Sequence, residues 1–338
     1  MSSIHPDFGG DERPESGAQS DERGPQGRPV LTAESEGPRL RRSDVYPNPV
    51  VDGRERRGGV VRATLTGLRG RFASRDGLRE ARLETRLAMP VPLTRSNLVA
   101  VISPKGGVGK TTVTFLLGNL LAARLKVRAI AIDANPDFGT LGTLAPEGAR
   151  NDHSLADLLA AMPRLASAAE VWPYVSRLPT GLHILASPLR AEVMNQITPA
   201  LYGDLLAFLG QYYEVILLDL GTGITDPLSR FAVGRADQVA VVTTPEWITA
   251  TSVSNALHHL DLARAIVVLN QCHWNRAEDR RAAAGHFAAH RLARQVTIPY
   301  DGQLRTMLDT GTFTLDALGR ATRLPIKELG LEIAEQLV

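Results

Sequence analysis

Apolar runs of four to six residues alternate with longer segments along the chain from about residue 97 onward. Hydrophobicity within the runs is mostly continuous, which is typical of strands buried on both faces of a parallel sheet. The segments between them have helical length. The pattern predicts an α/β domain with a doubly wound, mostly parallel sheet. The predicted strands are 98–103, 127–132, 182–187, 215–220, 238–243, 265–270 and 295–298, and the predicted helices are 110–124, 154–162, 198–212, 249–260 and 277–292.

The N-terminal part of the chain has a different composition. Residues 1–75 are rich in Gly, Pro, Ser, Glu and Arg and poor in aromatics. Such a segment cannot bury enough apolar surface to offset its ordering entropy, so we expect a disordered tail. Residues 76–96 predict a short amphipathic helix and a linker, because three leucines recur near helical spacing before two prolines. The third predicted unit is the α/β domain, residues 97–338.

Composition and charge argue against a membrane-spanning, secreted or disulfide-bonded protein. No run approaches the roughly 18 apolar residues of a membrane span, and the N-terminus lacks the apolar stretch of a secretory signal. Cys272 is the single cysteine, so no internal disulfide can form, and we expect a cytoplasmic protein. Between Arg54 and Arg95, eleven arginines face four acids, whereas the whole chain carries a net charge of +2. This asymmetry suggests an interaction arm more than a nucleic-acid-binding domain.

A glycine-rich segment, SPKGGVGKTT at 103–112, follows the first predicted strand and opens the first predicted helix of the domain. Its glycines allow the backbone to turn tightly and to point N–H groups at phosphate oxygens, beside the positive end of the helix. Lys110 would reach the phosphates, and the Thr111 hydroxyl would ligate Mg²⁺. The alternative is an ordinary turn before a helix. The predicted nucleotide-binding residues of this loop are Gly106, Gly107, Val108, Gly109, Lys110, Thr111 and Thr112.

Two of the four lysines in the chain, Lys105 and Lys110, lie in this loop, against thirty-four arginines overall. An ammonium fits between phosphate oxygens where the wide guanidinium fork does not. The segment KGGVGKTT resembles the ParA/MinD family of deviant Walker-A ATPases, whose motif is KGGxGKT[ST]. The resemblance extends from about Leu98 to near the C-terminus. It implies a P-loop NTPase fold, ATP and Mg²⁺ as cofactors, and an ATP-dependent homodimer in which Lys105 contacts phosphates bound by the other subunit.

Two aspartates at strand ends are the predicted metal ligands besides Thr111. Asp133 matches the first aspartate of the family's switch segment, D-x-D-x(-x)-G. The second aspartate, which in the family positions the attacking water, is replaced by Asn135. An amide can orient a water but cannot take its proton, so we expect slow hydrolysis. Asp137 could substitute if the loop is shifted, and a simple turn is the alternative.

The second aspartate, Asp219, ends the apolar run 215–220 and matches the family's Walker-B strand, whose aspartate holds Mg²⁺ through water. The resemblance assigns Gly221 and Thr222, which follow it, to a loop that senses the γ-phosphate. An ordinary strand ending in a turn is the alternative. The residues predicted to act in catalysis are Lys105, Lys110, Asp133 and Asn135.

The resemblance also implies a base site at the end of later strands. Asn270 would pair with adenine, since an amide offers both a donor and an acceptor, and Pro299 and Tyr300 would form the other wall. A strand-ending cap is the alternative for Asn270. Trp247 is expected to pack in the core or at an interface rather than to stack on a ligand. The role of Asn119, inside the loop helix, stays open.

Members of the family use the nucleotide switch for different purposes: DNA partition, membrane binding, or the control of secretion and pilus machines. The resemblance therefore leaves several functions open. The acidic C-terminal segment is unsuited to anionic lipid and is expected to pack its apolar stripe on the body. The N-terminal extension, the switch sequence and the C-terminal sequence look most like ATPases encoded with type VII secretion systems. We therefore favour a switch that regulates or positions a cellular machine through an unidentified protein partner. The alternatives are a partition ATPase that binds nonspecific DNA through Arg276, Arg280, Arg281, Arg291 and Arg294, or a pseudo-ATPase scaffold.

Overall fold

The structure, a computed structural model, describes residues 75–135, 139–223, 226–273 and 294–337, together with positions 281, 285 and 287. The predicted disordered tail lies outside this range except for Arg75. So do Asp137, most of the predicted helix 277–292, and three of the five arginines proposed for DNA. These expectations stay predictions.

Within the described residues, eight strands form one sheet in the order β3-β4-β2-β5-β1-β6-β7-β8. Neighbouring strands are parallel, except that β3 is antiparallel to β4. The predicted α/β class and mostly parallel sheet are therefore confirmed. The short edge strand β3 was not predicted, because two residues carry no apolar run. The strands are β1 (Asn97–Ile102), β2 (Ala129–Ala134), β3 (Ser176–Arg177), β4 (His183–Leu185), β5 (Val215–Leu220), β6 (Gln238–Thr243), β7 (Ala265–Cys272) and β8 (Gln295–Pro299).

Helices connect the strands and cover both faces of the sheet. None of the helices in the described part of the chain combines the length and apolar character that crossing a bilayer requires. The longer described helices are α1 (Arg75–Leu87), α2 (Lys110–Arg124), α3 (Leu155–Ala161), α6 (Pro199–Leu209), α7 (Pro227–Arg235), α8 (Trp247–Leu257), α9 (Gly302–Thr310) and α10 (Arg320–Ala334); α4 (Ala168–Val171) and α5 (Ala191–Asn195) are short.

Local sequence signals account for several helix starts. Ser154 and Asp157 form the capping box expected from the sequence, so α3 begins at Leu155. At α6, the Thr198 hydroxyl accepts a hydrogen bond from the N–H of Leu201, and Pro199 occupies the first helical position. The short helices α4 and α5, and helices α7 and α9, were not predicted, because they lack a long apolar period.

The core consists of two layers, one on each face of the sheet. Successive residues of a strand point to opposite faces, so Val99 and Val101 join one hydrophobic cluster while Ala100 and Ile102 join the other. Helices α2 and α10 cover the first face, and α6 and α8 cover the second. Because both faces are covered, most residues of the central strands are apolar, which explains the continuous runs in the sequence.

Helix α2 is held by close neighbours on several sides. A Cβ on Gly330 of α10 would lie 2.1 Å from Leu120 Cδ2, so the two helices touch at a glycine. Asn119 donates to the carbonyl of Phe115 and accepts from the Thr180 hydroxyl at 2.6 Å. This amide therefore ties α2 to the turn between β3 and β4. The C-terminal stripe packs on the body as expected, with Ile326, Leu329, Ile333 and Leu337 buried.

Helix α1 lies on α10 and forms part of the same body. Leu83 and Leu87 are buried against it. Glu80 accepts hydrogen bonds from Arg320 Nε at 2.9 Å and Lys327 Nζ at 3.1 Å, and also from Arg323. The Arg323 hydrogen bond is the main reason that the pKa of Glu80 falls from 4.5 to about 2, although burial opposes the fall.

Lys327 is the buried member of the group that surrounds Glu80, and its burial makes the stability of the fold depend on that group. The residue is 1% exposed, and Glu80 and Glu84 are its acidic partners. A buried ammonium that loses a partner costs far more than a surface pair.

We expect Glu80→Gln to lower the free energy of unfolding by about 1–3 kcal/mol at pH 7, because it removes one of the two carboxylates beside Lys327 and the one that pairs with Arg320 and Arg323. The folded-state pKa of Glu80 is depressed. The contribution is therefore present above pH 4.5 and is lost as the pH falls toward 2. Urea titration of Glu80→Gln and of a control on the exposed side of the same helix, Asp76→Asn, measures the effect. Equal stability of the two variants would contradict the role given to Glu80.

Candidate nucleotide-binding site

The glycine-rich loop joins β1 to α2 at the carboxyl edge of the sheet. Gly107 has φ 75° and Gly109 has φ 92°, both in the left-handed region that favours glycine. The Ser103 hydroxyl accepts the N–H of Lys105 at 3.2 Å, which closes the first part of the turn. Gly109 is the residue immediately before α2, so the loop ends at the positive end of the helix dipole.

The two lysines of the loop have different environments. Lys110 is 8% exposed; burial lowers its pKa, and the nearby charge of Asp219 opposes this. The side chain of Lys105 is exposed, and it makes no hydrogen bond or ion pair within the described residues. Lys110 therefore belongs to the interior of the site, whereas Lys105 lies on the surface of the chain.

Two buried carboxylates lie side by side at the ends of β2 and β5. Asp133 and Asp219 are direct neighbours in the parallel register, and they are 0% and 1% exposed. Burial raises the pKa of Asp133 to about 7, and the charge of Asp219 adds to the rise. Burial likewise raises the pKa of Asp219 to about 6, while the hydroxyl of Thr111 and the charge of Lys110 oppose the rise. A pair of this kind is favourable for a cation.

The same carboxylates present oxygen atoms of the kind that Mg²⁺ binds. Asp219 Oδ1 is buried and has no hydrogen-bond partner in the part of the chain that the structure describes. Asp133 accepts the backbone N–H groups of Leu141 at 2.9 Å and Asn135 at 3.3 Å, which fixes its orientation. An unsatisfied carboxylate oxygen beside a second carboxylate and a threonine hydroxyl is an oxygen donor set suited to Mg²⁺. The residues therefore fit the ion predicted from the sequence.

Gly139 explains how the chain after β2 returns so close to Asp133. A Cβ at this position would lie 2.2 Å from both Asp133 Oδ1 and Ser187 Oγ. Any side chain would displace the carboxylate. The sequence did not mark this glycine, because the switch pattern counted from Asp133 places its glycine one or two residues earlier, at 137 or 138.

The end of β7 contacts the back of the glycine-rich loop. Asn270 is 4% exposed, and its Nδ2 donates to the carbonyl of Val108 at 2.9 Å. The next residue, Gln271, donates from Nε2 to the carbonyl of Gly107 at 3.2 Å. Sequence reasoning missed Gln271, because no pattern in the sequence marks the irregular strand end that brings its side chain to the loop.

The remaining predicted base-site residues lie at the adjoining strand end. Pro299 is paired with Cys272 across β7 and β8, and the N–H of Tyr300 donates to the carbonyl of Cys272 at 2.9 Å. The Tyr300 ring is 49% exposed and stacks on His273, with 4.8 Å between ring centroids. The structure thus places Asn270, Pro299 and Tyr300 along one edge, with Asn270 directly on the loop.

Two further expectations concern the loop after β5 and Trp247. The loop after β5 lies beside the glycine-rich loop, since a Cβ on Gly106 would be 3.8 Å from Thr222 Cγ2. Trp247, at the start of α8, is 71% exposed, as is Ile248. The expectation of core packing for Trp247 was therefore wrong, because the helix begins at the surface; an interface role stays a prediction.

Comparisons with known proteins show what the chain is similar to. The model of the CobQ/CobB/MinD/ParA nucleotide binding domain matches residues 99–310. The ESX-1 secretion-associated protein EspI of Mycobacterium tuberculosis is 32% identical over 179 residues, which cover 51% of this chain and 26% of EspI. The chain thus spans about a quarter of that relative.

Solved structures show the same fold. The ParA family ATPase from Chlorobium tepidum has a TM-score of 0.58 and 21% identity, over 69% of this chain and 96% of the other. The septum site-determining protein MinD from Pyrococcus horikoshii, complexed with Mg-ADP, has a TM-score of 0.54 and 20% identity, over 71% and 95% of the two chains.

We expect Mg-ATP affinity to fall by roughly tenfold or more between pH 8 and pH 5.5. Mg²⁺ requires ionised carboxylates, and the pKa values of Asp133 and Asp219 are raised to about 7 and 6, so protons compete with the ion as the pH falls. Calorimetry at several pH values measures this for the parent, for Asp133→Asn, and for Asp309→Asn on an exposed helix as control. The titration of ATP itself is common to all three. An identical pH profile for the parent and Asp133→Asn would contradict the assignment.

Proposed function

The chain belongs to the CobQ/CobB/MinD/ParA nucleotide-binding family, and from that premise we propose that it is an ATP-dependent dimerising switch with slow hydrolysis. The carrying observation is the arrangement at one sheet edge. A loop with two left-handed glycines, the buried ammonium of Lys110 and the paired carboxylates of Asp133 and Asp219 lie together. These are the groups that a magnesium-bound nucleoside triphosphate requires.

Each of these groups has a separate task in the proposal. The loop N–H groups and Lys110 hold phosphate oxygens, and Thr111, Asp133 and Asp219 hold Mg²⁺, which when bound offsets the negative charge of the triphosphate. Nδ2 of Asn270 donates to the carbonyl of Val108. The amide oxygen of Asn270 is therefore the atom that would accept a hydrogen bond from the amino group of adenine.

Slow hydrolysis follows from the position of Asn135. Its backbone N–H donates to Asp133, so residue 135 directly follows the metal-binding strand end. A carboxylate here would orient the attacking water and draw its proton, whereas an amide can only orient it. Because phosphoryl transfer depends mainly on positioning and charge stabilisation, turnover is reduced and not abolished.

Dimerisation is supported by the contrast between the two loop lysines. The exposed ammonium of Lys105 has no partner within the described residues. It lies five residues before the start of α2, close to the phosphates that Lys110 holds. We assign its partner to the nucleotide of a second copy. Trp247 and Ile248, both 71% exposed, offer an apolar area for the same contact.

The favoured pathway is secretion-associated regulation in the cytoplasm, through a protein partner. It is supported by the similarity to EspI, which is named as ESX-1 secretion-associated. The DNA-binding alternative has less support. Arg294, one of its two arginines among the described residues, turns inward and donates to the carbonyl of Ala263 at 2.9 Å.

We expect Asn135→Asp to increase the rate of ATP hydrolysis by about tenfold or more, because it adds the carboxylate that the switch segment lacks. Phosphate release measures the rate for the parent, Asn135→Asp and Asn135→Ala, with Lys110→Ala as the blank. If the parent binds ATP but releases no phosphate above this blank, the pseudo-ATPase alternative replaces the slow ATPase. An unchanged rate in Asn135→Asp would remove the explanation given for slow turnover.

We expect Lys105→Ala to bind Mg-ATP within about threefold of the parent but to lose ATP-dependent dimerisation, because its ammonium serves the second subunit. Light scattering after gel filtration, with and without Mg-ATP, gives the oligomeric state. Lys126→Ala is the matched control, since Lys126 is the other exposed lysine of the chain. A dimer of Lys105→Ala as stable as that of the parent would exclude this role.

A further inference from the structure

We propose that the end of β7 is a latch on the phosphate loop, in which Gln271 is a positioning residue for nucleotide binding. This inference rests on the proposed function, because it assigns Gln271 to the loop that would hold the triphosphate. The observation behind it is that two consecutive side chains, Asn270 and Gln271, donate to two consecutive carbonyls of the loop, those of Val108 and Gly107.

Consecutive side chains of a regular strand point to opposite faces, so one strand end cannot normally present two of them to the same loop. Here the register of β7 against β8 shifts between Leu269 and Cys272. Gln271 lies inside this irregularity with φ 58°, a left-handed conformation that is uncommon for a residue other than glycine. The bulge brings both amides to the phosphate loop.

The two hydrogen bonds fix the direction in which the loop N–H groups point. In a planar trans peptide, the C=O of one residue and the N–H of the next point in opposite directions. A carbonyl of Gly107 held by Gln271 therefore sets the N–H of Val108 on the other side. A carbonyl of Val108 held by Asn270 does the same for the N–H of Gly109. The latch thus orients two donors away from β7.

Besides these hydrogen bonds, β7 and the loop are in close steric contact. A Cβ on Gly109 would lie 2.3 Å from Nδ2 of Asn270. The backbone of the loop can therefore approach the strand end only because residue 109 is glycine. Glycine-rich loops gain their tight turns at the cost of conformational freedom, and the two amides on β7 restrict that freedom before nucleotide arrives.

The left-handed backbone conformation of Gln271 makes it possible to separate the role of its side chain from that of its backbone. Left-handed conformations of ordinary residues cost free energy, and glycine removes that cost. Gln271→Ala deletes the amide and keeps the strained backbone, whereas Gln271→Gly deletes the amide and relieves the strain. If Gln271 only shaped the strand end, the glycine variant would restore whatever the alanine variant lost. If the amide positions the loop, both variants lose nucleotide affinity to a similar extent.

The experiment compares the parent, these two variants and Gln303→Ala, a control at an exposed glutamine on α9. Hydrogen exchange of peptides covering 105–112 is followed by mass spectrometry in nucleotide-free protein, and Mg-ADP and Mg-ATP affinities are measured by calorimetry. We expect faster exchange of the loop and roughly three- to tenfold weaker binding in both Gln271 variants. We also expect Gln271→Gly to be the more thermally stable of the two.

Parent-like exchange or parent-like affinity in both variants would overturn the proposal, and so would full recovery of affinity in Gln271→Gly. A failure of the proposed function is distinguishable from these results. In that case the parent and Gln303→Ala would themselves bind no Mg-nucleotide, while the exchange data would still show whether Gln271 restrains the loop.

Discussion

The arrangement of this protein depends on the charge concentrated at the carboxyl edge of its sheet. Asp133 and Asp219 are adjacent and buried, with raised pKa values, and Lys110 is buried nearby with a lowered pKa. Groups of this kind are unfavourable in an apolar interior unless each finds a compensating charge or hydrogen bond. The unsatisfied oxygen of Asp219 shows that the compensation among the described residues is incomplete. A magnesium-bound triphosphate, as proposed, would supply both signs of charge to these groups.

The rest of the fold holds these charges in place. Parallel strands deliver Asp133 and Asp219 to one edge because their connections return through helices. The loop helix α2 is fixed on one side by Gly330 of α10 and on another by the Asn119–Thr180 hydrogen bond. Helix α1 in turn lies on α10 through Glu80 and Lys327. A continuous series of contacts therefore connects the start of the described chain to the helix that follows the phosphate loop.

The parts of this architecture that depend on local pattern were predictable. Continuous apolar runs identified seven strands, and the glycine-rich segment with its following helix identified the loop. Contacts between distant segments were not predictable in this way. Nothing in the local sequence shows that Gln271 adopts a left-handed conformation, that Gly139 touches Asp133, or that Trp247 is exposed. These features arise from register and packing, which pair residues far apart in the chain.

The lysines illustrate both cases. The loop motif explains Lys105 and Lys110 from the sequence alone, since an ammonium suits a narrow phosphate site. Lys327 required the structure, because its burial beside Glu80 and Glu84 depends on the docking of α1. In a chain that otherwise uses arginine, three of four lysines thus have a specific environment or an assigned role.

The most direct test of the central claim is calorimetry of Mg-ATP binding to the purified chain and to Lys110→Ala, with Lys126→Ala as control. The account predicts stoichiometric binding by the parent and the control, and a loss of at least about a hundredfold in affinity for Lys110→Ala. Absence of binding by the parent, or equal binding by the parent and Lys110→Ala, would contradict it.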